Sequence, residues 1–269
     1  MSGNSALYKA RHRPIVAVSW FDHQWPSLYE NRPPGYHFGM TTVLSLGGSI
    51  VAPDGPDPAF LASFITLVRE HLALSPERRL ILVVGGGGPA RAWQRAFREA
   101  GGPIEDHDAQ DWIGIMATRL NAQLVKALLG PFCPQDVATD PTSLSIFMGR
   151  VLVAAGWKPG FSTDFDAVLL AERFGADRVL NLSNIDKVHT ADPRVDPTAR
   201  PIDAISWADF SAIVGTEWSP GKNLPFDPIA TRKAAELGLT VICAAGRDLA
   251  NLRHILEGES FVGTTIGPK

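Results

Sequence analysis

The feature that most constrains this chain is a rhythm. A short apolar run ends in a loop of glycine or hydroxyl residues, and an amphipathic stretch of helix length follows. Val43–Leu46 leads into Gly47-Gly48-Ser49, and Leu80–Val84 leads into Gly85-Gly86-Gly87-Gly88. Val151–Ala155 leads into Gly156-Trp157-Lys158-Pro159-Gly160. Strands separated by helices of ten or more residues pair in parallel and carry helices on both faces. The expected fold is therefore α/β, a three-layer α/β/α sandwich around a mostly parallel sheet.

Local signals place the helices. Asp57-Pro58 supplies an N-cap and a proline at the first helical position, ahead of Phe60, Leu61, Phe64, Ile65, Val68 and Leu72 on one face. A second helix is expected over Ala90–Glu99, and a long one from a cap at Asp111 to Leu129. Residues 130–141 hold three prolines and read as a loop. Helix Phe165–Phe174 closes at Gly175, and strand Val179–Leu182 follows. The Pro- and Asp-rich stretch from Asp186 to Asp203 reads as an exposed flap. Ser206-Trp207-Ala208-Asp209 has capping-box spacing. Helix Pro228–Leu237 stops at Gly238, then strand Thr240–Ala244, helix Leu249–Leu256 and strand Val262–Ile266 complete the chain.

Residues 1–39 differ from the rest. They contain all three tyrosines and four basic residues against two acidic ones, so the acidic excess lies downstream. Their apolar run from Ile15 ends at Asp22 without a small-residue cleavage site, which argues against a signal peptide. They read as an N-terminal extension, or as sequence ahead of a translation start at Met40. With 25 basic and 28 acidic residues, the chain has no cationic excess for nucleic acid or an anionic membrane. No apolar run reaches a membrane span. Two cysteines, Cys133 and Cys243, are too few for a disulfide scaffold or a cysteine zinc site, so a reducing, cytoplasmic setting is expected.

In a doubly wound sheet, ligands sit at the carboxyl ends of the strands, where these loops fall. Glycine lets backbone amides approach phosphate oxygens, and the next helix adds its positive end. Three such loops suggest a ligand with several phosphates. None carries the Gly-Lys-Ser/Thr signature of a P-loop. Gly85-x-Gly87-x-x-Ala90 satisfies a relaxed dinucleotide fingerprint, with Glu105 and Asp106 at suitable spacing. A dehydrogenase reading leaves the other two loops unexplained, and its fingerprint normally opens the fold.

Gly47-Gly48-Ser49, Gly85-Gly86-Gly87 with Arg91, Asp111–Asn121, Pro159–Asp164, Asn184–Asp186, Thr190–Pro193, Pro225–Pro228 and Gly263-Thr264 together resemble the amino-acid-kinase superfamily. Within it, the chain is most similar to uridylate kinases of the archaeal type. The resemblance covers residues 40–266. It implies one kinase domain over 40–269, with an acceptor half at about 40–177 and an ATP half at about 178–269. The implied activity is transfer of the γ-phosphoryl of ATP to UMP in pyrimidine nucleotide biosynthesis, with Mg²⁺ carried by ATP, in a homohexamer.

By the same resemblance, Gly86, Asp111, Lys158, Pro159, Gly160, Phe161, Ser162, Thr163 and Asp164 bind UMP. Gly47, Gly48, Ser49, Gly87, Arg91, Ser183, Asn184, His189 and Asp192 bind ATP. Asp164, Arg91 and Asp186 are the catalytic candidates, Asp164 as the carboxylate that organises cations around the transferred group. Arg232 lies near a further phosphate-contacting position. No residue is expected to be a dedicated metal ligand.

Three departures bear on this reading. Asp186-Lys187-Val188-His189 stands where relatives have Asp-Gly-Val-Tyr, Ala155 replaces a glycine, and Lys158 replaces a common histidine. Two alternatives therefore stay open: another phosphotransferase of the superfamily with a different small acceptor, and a non-catalytic, nucleotide-binding store for metal-oxoanion clusters.

Overall fold

The computed structural model describes residues 41–101, 106–215 and 224–268. The expectations for residues 1–39, and the spacing argument involving Glu105, lie outside the described residues. Nine strands are described. β1 (Thr41–Leu46), β2 (Arg79–Val84), β3 (Val151–Ala154), β4 (Arg178–Ser183) and β8 (Thr240–Ala245) are the parallel centre of the sheet. β9 (Thr264–Gly267) runs antiparallel to β8, and β7 (Ala204–Ser206) pairs parallel to β9. The order is β3-β2-β1-β4-β8-β9-β7. The winding therefore reverses at β1, whose neighbours are β2 and β4.

Eight helices accompany the described strands: α1 (Gly48–Val51), α2 (Pro58–Ala73), α3 (Gly87–Gly101), α4 (His107–Leu129), α5 (Thr163–Phe174), α6 (Trp207–Val214), α7 (Pro228–Glu236) and α8 (Leu249–Glu257). The pleat divides the core in two. Leu44, Leu46, Leu80, Leu82 and Val84 pack with α2, α4 and α8, whereas Val43, Ile81 and Val83 pack with α5, α6 and α7. The sheet is thus buried on both faces, which explains why its strands are continuously apolar rather than alternating.

The caps follow simple chemistry. Asp57 Oδ1 accepts from the Phe60 amide at 3.0 Å, Ser162 Oγ from Phe165 at 3.2 Å, Ser206 Oγ from Asp209 at 3.1 Å and Asp227 Oδ1 from Ala230 at 2.8 Å. Each satisfies an amide that the first helical turn leaves without an internal partner.

Four expectations are corrected. Asp106 caps α4, accepting from Ala109 at 2.8 Å, so Asp111 lies inside the helix and is not its cap. α5 begins at Thr163, placing Asp164 inside it as well. The flap contains a short antiparallel pair, β5 (Val188–His189) with β6 (Pro201–Ile202). Ala204–Ser206 is a strand that sequence reading missed, because its three residues are partly or fully exposed and lack an apolar run.

Candidate active site

The turns after β1 and β2 are locked together, backbone against backbone. A Cβ on Gly48 would lie 2.0 Å from the Gly87 nitrogen, and one on Gly87 would lie 2.3 Å from the Gly48 carbonyl oxygen. Gly87 also has φ +63°, a conformation that favours glycine. The Gly85 amide donates to Leu46 at 3.0 Å and the Gly47 amide to Leu182 at 2.9 Å, aligning the ends of β1, β2 and β4. Asn121 on α4 donates to the carbonyls of Gly85 and Gly86 at 2.9 and 3.1 Å. Gly47, Gly48, Ser49, Gly86 and Gly87 therefore form one cradle, with α3 starting at Gly87. Arg91 projects from α3 and donates to the Pro53 carbonyl at 3.1 Å.

Freed from capping, the Asp111 carboxylate accepts from the Gly160 amide at 3.0 Å and ties α4 to the loop after β3. In that loop, Lys158 Nζ lies 3.8 Å from the Trp157 ring centre and 5.2 Å from that of Phe161. Trp157, Phe161 and Phe165 form a run of rings with centroids 5.1 and 4.9 Å apart. Pro159 and Gly160 make the turn between the two ends of this run. Ser162 and Thr163 then open α5.

Asp164 is held from across the sheet. The Ser45 hydroxyl on β1 donates to Asp164 Oδ1 at 2.9 Å, and the Asp227 amide approaches Oδ2 at 3.4 Å. Burial is the main cause that pushes the Asp164 carboxyl up to about 6. The Ser45 hydrogen bond opposes this rise, while the charge of Asp227 adds to it. Asp164 is therefore an ionised but poorly solvated carboxylate near neutral pH, suited to organising incoming cations.

The segment after β4 presents a different surface. Ser183 accepts from the Ile185 amide at 3.4 Å, and Asn184 and Asp186 are exposed. Asp186 accepts from the Lys187 amide at 2.8 Å, while the Lys187 ammonium pairs with Asp203. That pairing commits the Lys187 charge to the flap rather than leaving it free for a phosphate. His189 Nδ1 lies 3.1 Å from the Lys187 carbonyl oxygen. Asp192 is bound by Arg194, whose guanidinium holds the carboxyl down at about 2.

The geometry thus joins Gly48 to Gly87 and Asp111 to Gly160, and sets Ser162, Thr163 and Asp164 on one helix end. Among the described residues, no hydrogen bond or ion pair joins these residues to Asp186, His189 or Asp192, which sit on the segment from β4 to just beyond β5. Sequence reading missed Ser45, Thr118, Arg119, Asn121 and Asp227 as support for these loops. Thr118, Arg119 and Asn121 lie within the quoted Asp111–Asn121 motif and Asp227 within Pro225–Pro228, which were the available signals.

Residues 40–245 match the amino acid kinase family. The chain belongs to that family. Among amino acid kinases with similar sequences is a uridylate kinase of Methanospirillum hungatei, 37% identical over 84% of this chain and 94% of that protein. Another, from Pyrococcus abyssi, is 32% identical over 85% of this chain and 100% of its own length. A solved uridylate kinase from Archaeoglobus fulgidus is 32% identical with a TM-score of 0.72, covering 85% of this chain and 100% of that one. A solved UMP kinase of Bacillus anthracis, at 19% identity and TM-score 0.68, shares the fold. Of the two carboxylates that the dinucleotide reading uses, Asp106 is occupied as the α4 cap.

Proposed function

We propose that this chain is a uridylate kinase, transferring the γ-phosphoryl of Mg-ATP to UMP to give UDP and ADP. The observation that carries the reading is the Ser45–Asp164 link. It connects the strand that feeds the glycine cradle to the helix that follows the acceptor loop. The names of the similar archaeal proteins support UMP as the acceptor.

The chemistry asks little of a general base. The acceptor is a phosphate oxygen, largely ionised at neutral pH, so catalysis consists of alignment and neutralisation of repulsion between anions. Amides of the Gly47–Ser49 turn and of Gly87 at the α3 start hold donor phosphates, with Arg91 as their cation, and Gly86 serves the acceptor. Asp111, Lys158 and the Gly160–Thr163 stretch receive the acceptor. Asp164 organises the cations between them with Asp186 as a further catalytic candidate, and Ser183, Asn184, His189 and Asp192 face the nucleoside of ATP. This division keeps the acceptor within about 40–177 and the nucleoside of ATP within about 178–269, while the donor phosphates lie on turns of the first half.

Among the described residues, no helix is long and apolar enough to cross a membrane, and a cytoplasmic setting fits the reading. The assembly we favour is a homohexamer. Exposed Trp93 on α3 and Trp112, Met116 and Leu120 at four-residue spacing on α4 supply apolar surface for self-association.

The test is coupled ADP release with Mg-ATP, comparing UMP with CMP, AMP and dTMP. Selective turnover of UMP is the expected result. Selective turnover of another acceptor, or none with ATP still bound, overturns the assignment.

A further inference from the structure

Gly156 and Trp157, the first loop residues after Ala155, are gripped almost wholly by side chains. The Gly156 amide donates to Thr118 Oγ1 at 2.8 Å, and its carbonyl accepts from the Arg119 guanidinium at 3.4 Å. The Trp157 carbonyl accepts from Arg119 at 3.0 Å, and the Trp157 amide donates to Asp166 Oδ2 at 3.2 Å. Four consecutive backbone polar groups are thus taken by three side chains, two from α4 and one from α5. Ordinary loops spend such groups on water or on neighbouring backbone.

Asp166 is the costly member. It is 1% exposed, and its Oδ1 is buried with no hydrogen-bond partner among the described residues. The charged groups that face it are Asp164 on its own helix, Asp140 from the segment after α4, and Arg119 on α4. A carboxyl in that setting makes a single hydrogen bond and destabilises the fold relative to an apolar residue of like size. Its one bond goes to the residue whose ring carries the Lys158 ammonium and leads the run of rings into Phe161.

We propose that Asp166, with Thr118 and Arg119, is a positioning residue for the acceptor: it fixes the Trp157 amide, and through it the Trp157 ring and Lys158 ammonium, where the acceptor meets them. The proposal rests on the acceptor reading above for its kinetic arm only. Asp166 itself touches neither substrate; it acts through Trp157. Arg119 also lies 5.6 Å from the Trp112 ring centre, so the clamp is itself braced on α4.

The test compares Asp166→Asn, which retains an oxygen acceptor of the same shape, with Asp166→Ala, which removes it. Two readouts are used. Amide hydrogen exchange at Trp157 needs no turnover, and steady-state kinetics separate the KM of UMP from that of ATP. With one neutral hydrogen bond lost, Asp166→Ala is expected to lower Trp157 protection about tenfold and raise the UMP KM about tenfold. The ATP KM stays within about twofold, and Asp166→Asn restores both values. Thr118→Val, near-isosteric, gives the same split if Asp166→Ala does not fold. Unchanged Trp157 protection, equal losses in Asp166→Asn and Asp166→Ala, or a parallel rise in the ATP KM would overturn the proposal. If the wild type does not turn over UMP but Trp157 protection falls and is rescued as stated, the acceptor assignment fails while the clamp stands.

Discussion

Ser45 and Asp164 are 119 residues apart in sequence, yet the Ser45 hydroxyl donates to the Asp164 carboxylate at 2.9 Å. The bond crosses from the central strand to the first turn of α5. It tunes the carboxylate as well as placing it, because a hydrogen bond to the charged form lowers a pKa that burial raises.

Replacing Ser45 with alanine removes that opposition. The Asp164 carboxyl then titrates above its present value of about 6. Under the proposed role turnover needs the carboxylate, so it falls as pH drops through that value. In Ser45→Ala the acid limb of the pH–rate profile moves to higher pH, and kcat at neutral pH drops about five- to tenfold. A limb that stays in place shows that Asp164 does not govern it.

Asp164→Asn keeps the shape and removes the charge. Turnover is expected to fall at least about 100-fold, the scale seen when an electrostatic group is removed from a reacting centre. Thermal stability should not fall, since the variant keeps the shape and no longer holds an ion in a half-buried site. Wild-type turnover in this variant would take Asp164 off the catalytic roster.

Gly48→Ala is expected to destabilise by about 3 kcal/mol or more, because the new methyl meets the Gly87 nitrogen at 2.0 Å and rigid backbone cannot step aside. ATP binding is lost alongside. Denaturant unfolding and nucleotide titration of the same preparation check both effects.

Stability should also depend on pH in a definite direction. Burial is the main cause that pushes the Asp166 carboxyl up to about 8 and Asp164 up to about 6, both above the ordinary carboxylate value of 3.8. A raised pKa means that the folded state binds the proton more tightly. The associated stabilisation is complete below the ordinary value and is lost as pH rises through about 6 and about 8. Lowering the pH from about 9 to about 6.5 should therefore raise the thermal midpoint. Asp166→Asn flattens that rise, and a midpoint independent of pH in the wild type contradicts it. Further acidification brings opposing losses from His71, whose burial lowers its pKa, and from Glu257, held at about 2 chiefly by Arg78.

The architecture was legible because each central strand is an apolar run with punctuation at its end, and burial on both sheet faces writes itself into sequence. Edge strand β7 was not, since Ala204–Ser206 buries too little to leave a pattern. Asp111 read as the cap of α4. Only the coordinates show that Asp106 fills that place, leaving Asp111 to accept from Gly160. The cradle glycines were readable as a local motif. Ser45 and Asp166 were not, because their meaning comes from partners on other elements: a serine inside a strand reads as filler, and an acidic residue near a helix start reads as dipole chemistry.

The interlock of Gly48 with Gly87 has a mechanical consequence. Two turns whose backbones are already in van der Waals contact cannot open or close separately, so the donor nucleotide of the proposed reaction would meet a preassembled anvil. Little ordering entropy is spent on that side of the reaction. Under the proposed function, alignment of the two phosphates then depends on where the acceptor is seated against a wall that does not yield.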